Sequence, residues 1–174
     1  TMASGGATWA AAAGGGLTSD AKKNTIGGTN AGSSFNTGGS GAEHNTLYGN
    51  ECGDAITTGD NNTGVGSHAM GAITNGQNNT GIGYAALLNN QSGGDNTSVG
   101  YASLFNTGNA GAASAFNTAV GSTALFSLTN GNQNVAMGYQ AGYSATSANY
   151  NVIIGKDAGY SVTTGSNNTA VGYQ

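Results

Sequence analysis

Apolar and polar positions along this chain fall into a fixed frame, and the frame repeats. Nine times it begins with Asn, then Thr or Val, any residue, an apolar residue and Gly. Two variable residues, a small residue and, in most copies, Gly or Leu follow. The copies start at Asn24, Asn45, Asn62, Asn79, Asn96, Asn117, Asn134, Asn151 and Asn168, separated by 21, 17, 17, 17, 21, 17, 17 and 17 residues. A fixed period of this kind marks a stacked array in which each unit is one supersecondary element.

Numbered from its Asn, each column of the unit has a physical reading. Position two is β-branched in every copy, and position four is apolar in all but the first, where Gly27 stands. Residues two apart share a face of a strand, and β-branched side chains suit a pleated, packed surface. The segment Asn117 to Gly121, Asn-Thr-Ala-Val-Gly, therefore predicts a short strand. Position four is the candidate inward column: Val65, Ile82, Val99, Val120, Met137, Ile154 and Val171. Position five is Gly throughout, which positive φ or close backbone approach would require. Position eight never exceeds Cys52 in size, which suggests a tightly filled interior. Gly and Asn close the unit, as in Asn75-Gly76-Gln77-Asn78, and both tolerate left-handed turns.

A 17-residue unit with two short strands and two turns fits one coil of a parallel β-roll. Coils stack roughly 4.8 Å apart, so the eight intervals span roughly 40 Å. Like residues then sit on like, and the nine asparagines can form a structural ladder bonded along the axis, as side-chain amides do in cross-β stacks. The expected fold is all-β, a parallel β-solenoid with 17-residue coils, two of them 21 residues long. It occupies residues 24–174, and residues 1–23 form a connector or a cap, since solenoid ends need protection.

Composition sharpens this picture. The chain has 33 Gly and no Pro, and only 24 of its 174 residues are Leu, Ile, Val or Phe. That is below the level at which disorder is usual, yet the net charge of −4 is too small to hold a chain of this length apart. Nearest-neighbour stacking reconciles the two. One chain still looks underfilled, with about two inward residues per coil. Large groups recur elsewhere: Tyr84, Tyr101, Tyr139 and Tyr173 at position six, and Leu88, Phe105, Phe126, Tyr143 and Tyr160 at position ten. Soluble monomers rarely expose such rows, so three parallel copies around one axis, a homotrimer, are expected to bury them.

Charge and chemistry exclude other classes. Lys22, Lys23 and Lys156 are the only basic residues, too few to neutralise a run of phosphates or to hold an anionic membrane. No apolar stretch is long enough for a membrane span, so neither nucleic-acid binding nor membrane insertion is expected. A single cysteine, Cys52, forms no intrachain disulfide and reads as a buried, inert thiol. His44 and His68 lack the three or four closely spaced ligands that a zinc site needs. No nucleophile elbow or phosphate loop is present. No cofactor, no metal and no enzymatic activity are expected. The two four-residue extensions, within Ser33 to His44 and Phe105 to Phe116, map to loops, often on a binding face. Phe35, His44, Phe105 and Phe116 are their candidate contact residues.

The motif as it stands in Asn117-Thr-Ala-Val-Gly, Asn134-Val-Ala-Met-Gly and Asn168-Thr-Ala-Val-Gly-Tyr-Gln resembles two related groups. One is the repeat shafts of bacteriophage tail fibres; the other is the YadA-like heads of trimeric autotransporter adhesins. The resemblance covers residues 24–174 and implies a trimeric, left-handed parallel β-roll used for surface attachment. It implies no catalytic residues. The expected function is a structural and adhesive fibre module, extracellular on a virion or cell surface, presenting its loops to a host-surface glycan or protein receptor. The alternative is an ice-binding β-solenoid, suggested by the Thr column at position two. Two features weigh against that alternative: those Thr share a face with the predicted inward column, and the 21-residue units break a regular lattice.

Overall fold

The computed structural model describes residues 18–20, 22–35, 41–108 and 114–174. Its strands, in chain order, are β1 Thr18–Ser19, β2 Thr25–Gly27, β3 Thr46–Tyr48, β4 Thr63–Val65 and β5 Thr80–Ile82. They continue as β6 Thr97–Val99, β7 Thr118–Val120, β8 Val135–Met137, β9 Val152–Ile154 and β10 Thr169–Val171. All ten lie in one sheet in sequence order. From β2 to β10 every pairing is parallel and joins equivalent positions, for example Thr63 with Thr80 and Val65 with Ile82. Both 21-residue steps keep this register, pairing Thr25 with Thr46 and Thr97 with Thr118. The chain is thus a parallel β-solenoid with one strand per coil, and β1 closes its first edge by pairing antiparallel with β2.

The strands face the other way from the sequence expectation. Position three is the inward residue: Leu47, Ser98, Ala119, Ala136 and Ile153 are buried, as are Gly64 and Gly81. Position four points outward, so the predicted inward column is corrected. Val65, Ile82, Met137 and Ile154 are 37–42% exposed and Val171 is 72% exposed, while Val99 and Val120 are half-buried on the same outer face. The reason is volume. Position three is small in most coils and fits beside the large side chains of the second limb, and where it is large, as at Leu47 and Ile153, position nine is Gly53 or Gly159.

That second limb is not a strand. Positions six to eleven form consecutive turns with left-handed residues at positions seven and nine, such as Ala85 (φ 55°) and Leu87 (φ 56°), or Ala102 and Leu104 (both φ 48°). The limb still bonds to its neighbours along the axis: the Leu87 N–H donates to the Ser103 carbonyl at 3.1 Å and the Ala85 N–H to the Ser67 carbonyl at 3.0 Å. A left-handed leucine costs about 1–2 kcal/mol. Here it turns the side chain into the core, and the axial bonds satisfy the backbone.

Interior volume is balanced in most coils between positions three and nine. Where position three is Leu47 or Ile153, position nine is Gly53 or Gly159, and a β-carbon on Gly53 would meet Leu47 and Ile56 at 2.7 and 2.9 Å. Where position three is Gly64 or Gly81, position nine is Met70 or Leu87, both fully buried. Ile56, Ile73 and Leu128 at position twelve complete the core. Every complete coil except the one from Asn134 therefore carries one or two large residues. In that coil Ala136 and Gly142 are both small, and Leu125 and Ile153 of the adjacent coils stand 2.8 and 3.0 Å from where a Gly142 β-carbon would lie, which is what close packing between coils requires.

Candidate functional site

The nine repeat asparagines form one column, buried from Asn24 to Asn151. Each backbone N–H donates to Oδ1 of the preceding asparagine at 2.8–3.1 Å. Each Nδ2 donates to that same Oδ1 at 2.9–3.2 Å. A second Nδ2 bond, at 2.8–2.9 Å, goes to the position-fifteen carbonyl of the same coil, such as Gly76, Gly131 or Ala148. An interior asparagine thus uses both Nδ2 hydrogens and both Oδ1 lone pairs, so a buried amide carries no desolvation deficit. In the two long coils the bond spans 18 residues, from Asn24 to the Ala42 carbonyl and from Asn96 to the Ser114 carbonyl. The extra residues are therefore inserted between position twelve and this carbonyl, and the ladder stays in place.

Two further polar columns were not anticipated. At position sixteen, side-chain oxygens cap N–H groups of the preceding coil: Glu43 to Asp60, Ala115 to Asn132, Asn132 to Asn149 and Asn149 to Ser166, at 2.8–3.2 Å. At position thirteen, Thr57, Thr74, Thr129 and Thr146 donate their hydroxyls to the next coil's carbonyl at 3.0–3.2 Å. The recurrence of Asn, Asp or Ser at 132, 149, 166 and 60, and of Thr at 57, 74, 129, 146 and 163, is the signal that reveals them.

The outer surface carries the aromatic rows. Phe105, Phe126, Tyr143 and Tyr160 stack face to face, with centroids 5.0–5.2 Å apart and planes within 16°. Their faces are covered by one another, so this row is half-buried within a single chain. At position six Tyr84 stacks on Tyr101 at 5.5 Å, and Lys156 places its ammonium 4.9 Å from the Tyr173 ring centre. An aromatic face attracts a cation at this range. The outer face of the sheet is different. There the position-four residues form an exposed row beside the threonines of position two, from Tyr48 to Val171.

The candidate loop residues divide. Phe35 occupies position twelve of the first coil and packs against the core, and Phe105 belongs to the stacked row. These two are packing residues, each half-buried with its ring already against neighbours in the same chain. His44 and Phe116 are each the last residue of a 21-residue coil, left-handed (φ 58° and 60°) and exposed. Residues 36–40 and 109–113 of the same extensions lie outside the described residues.

Titratable groups are few. His68 Nδ1 lies 3.0 Å from a Glu51 carboxylate oxygen. Burial, and then the Glu51 charge, push Asp54 above the usual carboxylate range. Burial pushes the Cys52 thiol up to about 12, so it stays protonated at neutral pH. Among the described residues no three His, Cys, Asp or Glu side chains gather as metal ligands. No helix among them is long and apolar enough to cross a membrane. No family model, curated protein or solved structure matches this chain.

Proposed function

We propose that this chain is a structural and adhesive module of an extracellular fibre, carried on a virion or cell surface, in which three parallel copies pack through the outer faces of their sheets. The observation that carries this reading is the position-four row. Val65, Ile82, Val99, Val120, Met137 and Ile154 run the length of the sheet outside an interior that is already full. An apolar row of that length favours a partner surface, and a second and third copy offer the same spacing along the axis. The resemblance of the repeat to phage tail-fibre shafts and YadA-like heads supports the same arrangement. In this reading the module acts by extension and display, without catalysis, and the four-residue extensions that end at His44 and Phe116 meet a host-surface glycan or protein receptor. The test is mass in solution by light scattering. A three-chain mass is expected, and Ile82→Asp combined with Val120→Asp should lower it while the far-ultraviolet spectrum is kept. A monomeric wild-type chain would remove the proposal.

A second reading, an ice-binding solenoid, draws on the same face. Thr46, Thr63, Thr80, Thr97 and Thr118 point outward with position four, not into the core, and the 21-residue steps leave their register intact. Both sequence-level objections to it therefore fall. Thermal hysteresis from a monomeric chain would favour this reading, and a trimer without hysteresis the fibre.

A further inference from the structure

The asparagine ladder has a direction. Its N–H groups all point toward the preceding coil and its Oδ1 atoms accept from the following one, so the amide dipoles add along the axis. The N-terminal end therefore presents unpaired donors, as the first turn of a helix does. Asn24, the first member, has no earlier asparagine to accept its two donors. Asp20 stands in that place. Its Oδ1 accepts the Asn24 N–H at 2.9 Å and the Lys22 N–H at 3.0 Å, and its Oδ2 accepts Asn24 Nδ2 at 2.9 Å. The turn between β1 and β2 is closed around it: the Asp20 N–H donates to the Asn24 carbonyl at 3.2 Å and the Lys23 N–H to the Asp20 carbonyl at 3.1 Å.

The geometry points to Asp20 as an ionisable end-cap of the ladder, which holds β1 and the first coil closed over the sheet edge when deprotonated and releases them when protonated. A carboxylate suits this end better than the asparagine used in every other coil. Three donors converge on two oxygens, whereas an amide would turn its own NH2 toward one of them. Charge-assisted bonds are also the stronger kind. The inference is independent of the fibre reading, since it concerns one end of a single chain.

Burial raises the Asp20 pKa, but the bonds from the Asn24 side chain, the Asn24 and Lys22 backbones and the Lys22 charge outweigh it and hold the carboxyl below its ordinary 3.8. The other titratable groups around this end are Lys23 in the same turn and Glu43, His44 and Asp60 on the following coils. His44 donates its N–H to the Lys22 carbonyl at 3.1 Å, and Asp60 accepts the Glu43 N–H at 2.8 Å. A depressed native pKa gives stability that is complete above the unfolded value and lost as pH falls through the native one. The cap therefore opens below pH 3.8.

The experiment is amide-resolved NMR of the full chain between pH 6 and 2, on wild type, Asp20→Asn and Asp20→Ala. In wild type, the Asn24 Nδ2, Asn24 N–H and Lys22 N–H resonances should titrate together. Amides of β2 should lose about tenfold protection over that step, the scale of charge-assisted bonds, while β6 to β8 hold theirs. Asp20→Asn should remove this titration; the other carboxylates are common to both proteins, so the difference isolates Asp20. Asp20→Ala should expose β2 at pH 6, with partial recovery in added formate, a free carboxylate that fits the vacated acceptor position. The inference fails if Asp20→Asn titrates as wild type does, if Asp20→Ala protects β2 as wild type does, or if the Asn24 signals move only when the whole chain unfolds.

Discussion

Replacing Asn134 by Ala tests the ladder where it has neighbours on both sides. Asn134 Nδ2 donates to Asn117 Oδ1 at 2.9 Å and to the Ala148 carbonyl at 2.8 Å. Its Oδ1 accepts the Asn151 N–H and Asn151 Nδ2, both at 3.1 Å. After truncation Asn117 Oδ1 still accepts the Asn134 N–H at 3.0 Å. The Ala148 carbonyl, the Asn151 N–H and one Asn151 Nδ2 hydrogen lose their partners. Each buried orphan costs about 1–3 kcal/mol, and a water in the vacated space would recover part of that. The expected loss is about 3–5 kcal/mol per chain, a large share of the roughly 5–15 kcal/mol that holds a domain. Ser147→Ala, at an exposed position of the same coil away from the sheet's outer face, is the control, with an expected cost within about 0.5 kcal/mol. Equilibrium denaturant unfolding followed by circular dichroism measures both. If Asn134→Ala costs under about 1 kcal/mol, or no more than Ser147→Ala, the ladder contributes no stability and the hydrogen-bond reasoning is wrong.

Two further predictions use the same coils. A β-carbon at Gly121 (φ 135°) would overlap the Gly138 carbonyl oxygen, whereas one at Gly172 (φ 140°) meets nothing within 4 Å. Gly121→Ala should therefore abolish the native circular dichroism spectrum or separate the coils on its two sides. Gly172→Ala should cost only the about 1–3 kcal/mol of a disfavoured backbone; equal effects in thermal melts would contradict the stacking argument. The Cys52 thiol, pushed up to about 12 by burial, should resist iodoacetamide at pH 8 and react at the rate of unfolding. Because its native pKa is raised, its contribution is complete below the unfolded value of 9.0 and declines as pH rises toward 12. Fast alkylation of the folded chain would show that the interior column is open.

The period was enough to establish stacking. The recurring spacing of 17 residues, twice lengthened to 21, between Asn24 and Asn168 leaves parallel in-register coils as the arrangement in which every asparagine amide is satisfied, and the β-branched residues at position two mark where the strand runs. Position five read correctly too: its glycines hold positive φ and, from Gly28 to Gly155, lie against the next coil's glycine carbonyl.

The facing of the strand was not legible in the same way. Period-two logic shows that positions two and four share a face, but not which face, and in a coil of about two inward residues hydrophobicity alone points to the wrong one. Val120 is more apolar than Ala119, yet Ala119 is inside, because Leu125 reaches across from a left-handed turn and leaves no room for more. The clue in the chain was the exchange of size between positions three and nine, Leu47 with Gly53 against Gly81 with Leu87, which has meaning only once the two limbs are known to face each other. Asp20 was likewise mute in the sequence. It lies outside the repeat, and only the antiparallel return of β1 carries its carboxylate to the donors of Asn24. Local periodicity determined what stacks on what. Competition for a narrow interior, settled between segments several residues apart, decided what points in.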